Sequence, residues 1–118
     1  MPKKPHCGSV HSMQTALAFS ELSYAYAGGA PVFDRLTAEL AAGQLVALMG
    51  GNGSGKTTLL KCLAGLLPHY GGSIHLGDSE LGELSRRSRA KRLSLVPQDC
   101  EAGFGYLARD MVLMGRAP

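Results

Sequence analysis

The residues best equipped for chemistry are consecutive: Gly50-Gly51-Asn52-Gly53-Ser54-Gly55-Lys56-Thr57-Thr58. Gly50, four residues, then Gly55-Lys56-Thr57 satisfies the phosphate-binding loop (P-loop) pattern G-x-x-x-x-G-K-[ST] at every fixed position. Residues without a Cβ let the backbone curl through positive φ and approach an anion closely. The N–H groups of Gly50, Gly51, Asn52, Gly53, Ser54 and Gly55 can then converge as a nest, to which a following helix adds its unpaired donors and the positive end of its dipole. In such a loop Lys56 bridges the β- and γ-phosphates of a nucleoside triphosphate, and the Thr57 hydroxyl ligates Mg²⁺. A glycine turn that merely happens to precede a helix would account for the glycines. It would not account for Lys-Thr at that offset, so a nucleoside triphosphate site is expected here.

A loop of this kind needs a strand before it and a helix after it. Leu45-Val46-Ala47-Leu48-Met49 is a short apolar run of the kind a buried parallel strand carries. Thr58 to Leu67 is helical in composition, and Pro68 is expected to stop it. Its leucines fall on more than one face, Leu59, Leu63 and Leu66 on one and Leu60, Ala64 and Leu67 on another, which predicts a helix buried between two layers. Upstream, residues 16–26 (Leu17, Phe19, Leu22, Tyr24, Tyr26) and 32–40 read as strands joined by the turn Ala27-Gly28-Gly29-Ala30-Pro31, an antiparallel β-lobe. Downstream, a turn at 69–72, a strand over 73–76, a basic helix over 81–91, a strand over 93–96, a loop over 100–105 and a helix over 106–114 capped by Gly115 are expected.

The 118 residues make one domain or part of one, and a chain of this length buries about two thirds of its unfolded surface. With 45% hydrophobic and 18% charged residues it has the composition of a globular protein. The net charge of +3 comes largely from Lys3, Lys4 and the run Arg86, Arg87, Arg89, Lys91 and Arg92. That run has no interleaved aromatics and reads as a solvated helix face, so no nucleic-acid partner is expected. Cys7, Cys62 and Cys100 form no C-x-x-C pair, which leaves neither a zinc site nor a disulfide framework in the pattern and points to reduced, cytosolic thiols. Residues 1–15, including His6, Cys7 and His11, read as a disordered tail and not a secretory signal, and no apolar stretch reaches the length of a membrane span.

The stretch GGNGSGKTTLLKCLAGLL, an aromatic before a glycine turn upstream, and Val96-Pro97-Gln98 about forty residues after the lysine together resemble the nucleotide-binding domain of ATP-binding-cassette (ABC) transporters, in its N-terminal half. The resemblance covers roughly residues 16–118. LSRRSRAKRLSLVPQ and the later DMVLMGRAP look most like ATPase subunits of importers for iron-siderophores, haem or cobalamin. It implies an α/β fold: a P-loop NTPase-type core of parallel strands with the P-loop helix, plus an N-terminal antiparallel β-lobe. It also implies that ATP and Mg²⁺ are bound, that Thr58 touches the α-phosphate, and that Gln98 contacts Mg²⁺ or the attacking water. Tyr26 would stack on adenine, with Tyr24 competing for that role from the same face of the strand. The implied partners are transmembrane permease subunits and a second ATP-binding subunit, at the cytoplasmic, inner face of the membrane.

The departures from the family pattern matter as much. No L-S-G-G-Q signature, no apolar strand ending in Asp-Glu (the Walker B carboxylates) and no switch histidine occur in the sequence. Residues 16–118 therefore read as a partial cassette, an ATPase by resemblance but inactive alone. The alternatives are a nucleotide-binding module that does not hydrolyse and, further off, a small P-loop kinase whose phosphoryl clamp would have to come from residues 86–92.

Overall fold

The computed structural model describes residues 14–98 and 107–116. Most of the expected tail, with His6, Cys7 and His11, lies outside the described residues, as do Cys100, the loop expected over 100–105 and Tyr106. Strands β1 (Thr15–Ala25) and β2 (Pro31–Ala41) form an antiparallel pair, joined by a turn whose Gly29 N–H donates to the Tyr26 carbonyl at 2.9 Å. β3 (Gly71–Leu76) pairs with the other edge of β1, and the two-residue β4 (Ser79–Glu80) closes a hairpin on β3. The sheet order is β2-β1-β3-β4, antiparallel throughout. The expected β-lobe is therefore present.

One irregularity builds the core. Phe19 and Leu22 are both buried although three residues apart, a spacing that simple alternation would send to opposite faces. A bulge at Glu21, whose φ is 51°, absorbs the extra residue and returns Leu22 to the core side. The Glu21 N–H is satisfied by Thr37 Oγ1 at 2.9 Å. Gly72 lies against the bulge: a Cβ there would run into the Ser20 and Glu21 carbonyl oxygens. Phe19, Leu22, Ile74 and Leu81 make one cluster with Leu59 of helix α1 (Lys56–Leu63), and Leu17, Phe33, Leu40, Leu63, Tyr70 and Leu93 pack around it.

α1 departs from expectation in two ways. It ends at Leu63, short of Pro68: past the cap Ala64, Gly65 takes φ +70°, its N–H donates to the Cys62 carbonyl, and the Leu66 N–H donates to the Lys61 carbonyl, a Schellman stop. It also buries one face only. Thr58, Leu59 and Cys62 are covered, whereas Leu60 and Leu66 are exposed, because the sheet packs on one side and no described element covers the other.

The larger correction concerns the parallel core. Residues 45–49 form no strand; Leu45 is 100% and Met49 88% exposed. Residues 93–96 form none either, and Val96 is 88% exposed. A strand exists only through hydrogen bonds to a neighbour, and among the described residues no parallel partner lies beside either segment. Helix α2 (Arg86–Arg92) is capped by Ser85, whose hydroxyl accepts from Ser88 N–H at 3.1 Å. Two residues of its basic run are structural: Arg89 donates to the Gly65 carbonyl at 3.1 Å and Arg92 to the Leu76 carbonyl at 2.8 Å. Helix α3 (Ala108–Met114) has no buried residue, and Gly115 ends it with φ −65°, not as a left-handed cap.

Candidate functional site

The site grows from the start of α1. Gly55 occupies the position before the helix with φ +87°, where an L side chain is strained, and a Cβ there would meet Val32 Cγ1 at 2.7 Å. Glycine is thus required twice, by conformation and by the close approach of β2. The first hydrogen bond of the helix runs from Leu59 N–H to the Gly55 carbonyl at 2.8 Å. The N–H groups of Lys56, Thr57 and Thr58 are consequently the unpaired donors that every helix start presents, here facing the loop.

Lys56 lies folded over that loop. Its Nζ donates to the Gly50 carbonyl at 2.7 Å, the Gly51 carbonyl at 2.6 Å and Ser54 Oγ at 3.2 Å. All three ammonium donors therefore have acceptors within the ring of residues 50–56. The loop is held round by its own cation, and an anion entering it trades neutral carbonyl oxygens for charged ones, a stronger class of hydrogen bond. Ser54 N–H closes the turn onto the Gly51 carbonyl at 3.3 Å, while Asn52 and Gly53 form its exposed outer rim.

Thr57 is exposed and shares a cleft of about 560 Å³ with Gln98. Leu60, Lys61, Leu95, Val96 and Pro97 complete its walls. The two residues proposed from sequence to meet one cation thus come to the same cleft, and both carry the hard oxygen donors that Mg²⁺ takes. Thr58, by contrast, is 8% exposed, and its Oγ1 lies 3.1 Å from the Tyr26 hydroxyl. Tyr26 follows the last residue of β1 and is 51% exposed. Tyr24 sits behind it, edge-on to Tyr26 with centroids 5.2 Å apart and tilted against Phe33 at 6.3 Å. Of the two tyrosines, Tyr26 is the one beside the loop with a free ring, and Tyr24 is its support.

The structure thus gathers Gly50 to Thr58 and Tyr26 at one end of α1, with Gln98 across Thr57. Sequence reading missed Val32, the residue that forces glycine at 55; a lone valine in a strand carries no signal of that kind. It also missed that Arg89 ties α2 to the far end of the same helix.

Known proteins are similar to this chain in sequence. The family model described as ABC transporter matches residues 33–109. A hemin import ATP-binding protein of Rhodococcus jostii (strain RHA1) is 40% identical over 91 residues, 77% of this chain and 31% of that protein. One from Nocardia farcinica (strain IFM 10152) is 37% identical over 130 aligned positions, 98% of this chain and 45% of that protein. A cobalamin import ATP-binding protein of Halobacterium salinarum (strain ATCC 29341 / DSM 671 / R1) is 34% identical over 90 residues, 76% of this chain and 23% of that protein. The chain spans less than half the length of each of these relatives.

Proposed function

The chain belongs to the ABC transporter family, and from that premise we propose that it is the nucleotide-binding part of an importer's ATPase subunit, holding Mg-ATP on residues 50–58. The observation that carries this reading is Lys56, whose ammonium is already centred on the loop by the Gly50 and Gly51 carbonyls. When a triphosphate enters, Lys56 transfers its donors to the β- and γ-phosphate oxygens. The backbone N–H groups of the loop and of Lys56, Thr57 and Thr58 take the remaining oxygens. Thr57 and Gln98 would hold Mg²⁺ from either side of their shared cleft; once bound, the ion would supply charge neutralisation at the β- and γ-phosphates. The exposed Tyr26 ring supports adenine by stacking.

In the complete protein the bound ATP would be hydrolysed to drive import. The names of the relatives support a metal chelate of the haem or cobalamin type as cargo, and the iron-siderophore alternative rests on the sequence resemblance alone. Transmembrane permease subunits and a second ATP-binding subunit are the proposed partners, at the cytoplasmic face of the membrane. No helix among the described residues is long and apolar enough to cross a membrane. No carboxylate follows an apolar strand in this sequence in the Walker B manner, which favours a second reading for the chain by itself: binding without turnover. Family membership displaces the small-kinase alternative.

Calorimetric titration of the purified chain with ATP, with and without Mg²⁺, tests the proposal, alongside phosphate release at saturating Mg-ATP. Saturable binding strengthened by Mg²⁺, with turnover near background, is expected. Absence of ATP binding by folded chain would overturn it.

A further inference from the structure

The hydroxyl pair Tyr26–Thr58 joins the aromatic residue to the phosphate loop, and stacking on a base makes no use of it. Thr58 is almost wholly buried, in the first turn of α1, with its Oγ1 3.1 Å from the Tyr26 hydroxyl. The Tyr26 ring is otherwise half exposed, beyond the end of β1, and its one aromatic neighbour among the described residues is the edge-on Tyr24. A side chain in that position has two χ angles to sweep, and a T-shaped neighbour limits it from one side only. The hydroxyl bond supplies the second point of attachment, and its far end is anchored in the same helix turn that presents the phosphate donors.

We infer that Thr58 is a positioning residue for the Tyr26 ring: the Tyr26–Thr58 hydroxyl bond and the edge of Tyr24 hold the ring at a fixed offset from the loop before nucleotide arrives. This rests on the reading of Tyr26 as the adenine platform and deepens it. A ring fixed in advance loses little freedom on binding, so the bond strengthens recognition of the base without touching it. The specific consequence is that tyrosine, and not any aromatic residue, is required at position 26. Removing the hydroxyl leaves the stacking surface intact but unfixes it.

The inference separates the base-dependent from the base-independent part of binding. Dissociation constants for Mg-ATP and for Mg-bound inorganic triphosphate are measured on the full chain for wild type, Tyr26→Phe, Tyr26→Ala, Thr58→Val and Tyr26→Phe/Thr58→Val. The readout is the ratio of the two constants, which a merely structural role would leave unmoved. Tyr26→Phe is expected to lose about three- to tenfold in that ratio, the size of one hydroxyl hydrogen bond, with triphosphate affinity unchanged. Where Thr58 also touches phosphate, as the family resemblance implies, Thr58→Val weakens both ligands together. Its effect on the ratio should match that of Tyr26→Phe, and the double variant should add nothing further.

A Tyr26→Phe ratio equal to wild type, with Tyr26→Ala still selectively impaired for ATP, overturns the positioning role and leaves the platform standing. So do additive effects on the ratio in the double variant. A Tyr26→Ala loss equal for both ligands overturns the platform itself. Should Thr58→Val fail to fold, Tyr26→Phe carries the test alone, since its hydroxyl is at the surface end of the pair. Thr58→Ser, which keeps the hydroxyl, should then restore the wild-type ratio.

Discussion

Residues 45–49 are apolar at every position and residues 17–24 are not, yet the structure buries apolar side chains of the 17–24 stretch and leaves 45–49 in solvent. In β1, Phe19 is 8% and Leu22 0% exposed. Leu45, Val46, Leu48 and Met49 are all exposed. The difference lies in where their partners come from. β1 meets β2 across a five-residue turn (26–30), so loop closure there is cheap, and it meets β3 only after β2 and α1 have intervened; both partners lie among the described residues and pair with it antiparallel. A parallel strand must wait for a crossover and a neighbour of distant sequence, and none is found among the described residues. Apolar composition gives a segment its need for burial, while the presence of a pairing neighbour decides whether that need is met.

The contrast can be broken at its covered end. Leu22→Ala should destabilise the lobe by about 2–5 kcal/mol, the range for a fully buried leucine, read as the loss of denaturant midpoint. Leu45→Ala should change it by less than about 0.5 kcal/mol, as exposed positions do. Equal losses at the two sites would mean that residues 45–49 are packed in solution and that the contrast is false.

Gly55 lies where lobe and loop touch. Gly55→Ala is expected to lose about 1–3 kcal/mol of stability, from a left-handed φ and from contact with Val32, and to weaken ATP binding with it. Pairing it with Val32→Ala sharpens the point: relief of the clash should restore part of the loss, and no relief would assign all of it to the backbone. Arg89→Ala should have a smaller effect, about 1–2 kcal/mol, by leaving the Gly65 carbonyl without its donor, with nucleotide affinity unchanged.

The smallest effect expected is that of alkali. Burial pushes the Cys62 thiol above its ordinary 9.0, and burial together with neighbouring charge raises the Tyr24 and Tyr70 hydroxyls above 10.0. Groups whose folded pKa is raised contribute stability that is whole below the ordinary value and lost as pH rises through the folded one. The melting temperature should be insensitive to these groups below pH 9 and fall above it, and Cys62→Ser should remove the onset nearest pH 9. A decline beginning well below pH 9 would assign it to other groups.

Much of this was legible in the sequence, for identifiable reasons. The P-loop pattern is local: Gly50, Gly55, Lys56 and Thr57 stand at fixed offsets, and the structure brings Lys56 Nζ onto the Gly50 and Gly51 carbonyls and gives Gly55 a positive φ. The β-lobe was legible because turn residues and alternation act at short range. Long-range facts were not. That Val32 presses on Gly55 and that Thr37 accepts the N–H of the Glu21 bulge depend on residues brought together from different elements. The expected strand over 93–96 failed for the reason that 45–49 did.

Lys56 is proposed to serve the phosphate loop and its ligand, and not the buried core. Its ammonium bonds the loop atoms of Gly50, Gly51 and Ser54, and Lys56 is not a member of the buried cluster. The direct measurement is binding of a fluorescent ATP analogue to Lys56→Ala, run beside thermal unfolding of the same preparation. The account predicts lost nucleotide binding with a melting transition close to that of the wild type. Undiminished affinity in a folded Lys56→Ala chain would contradict it.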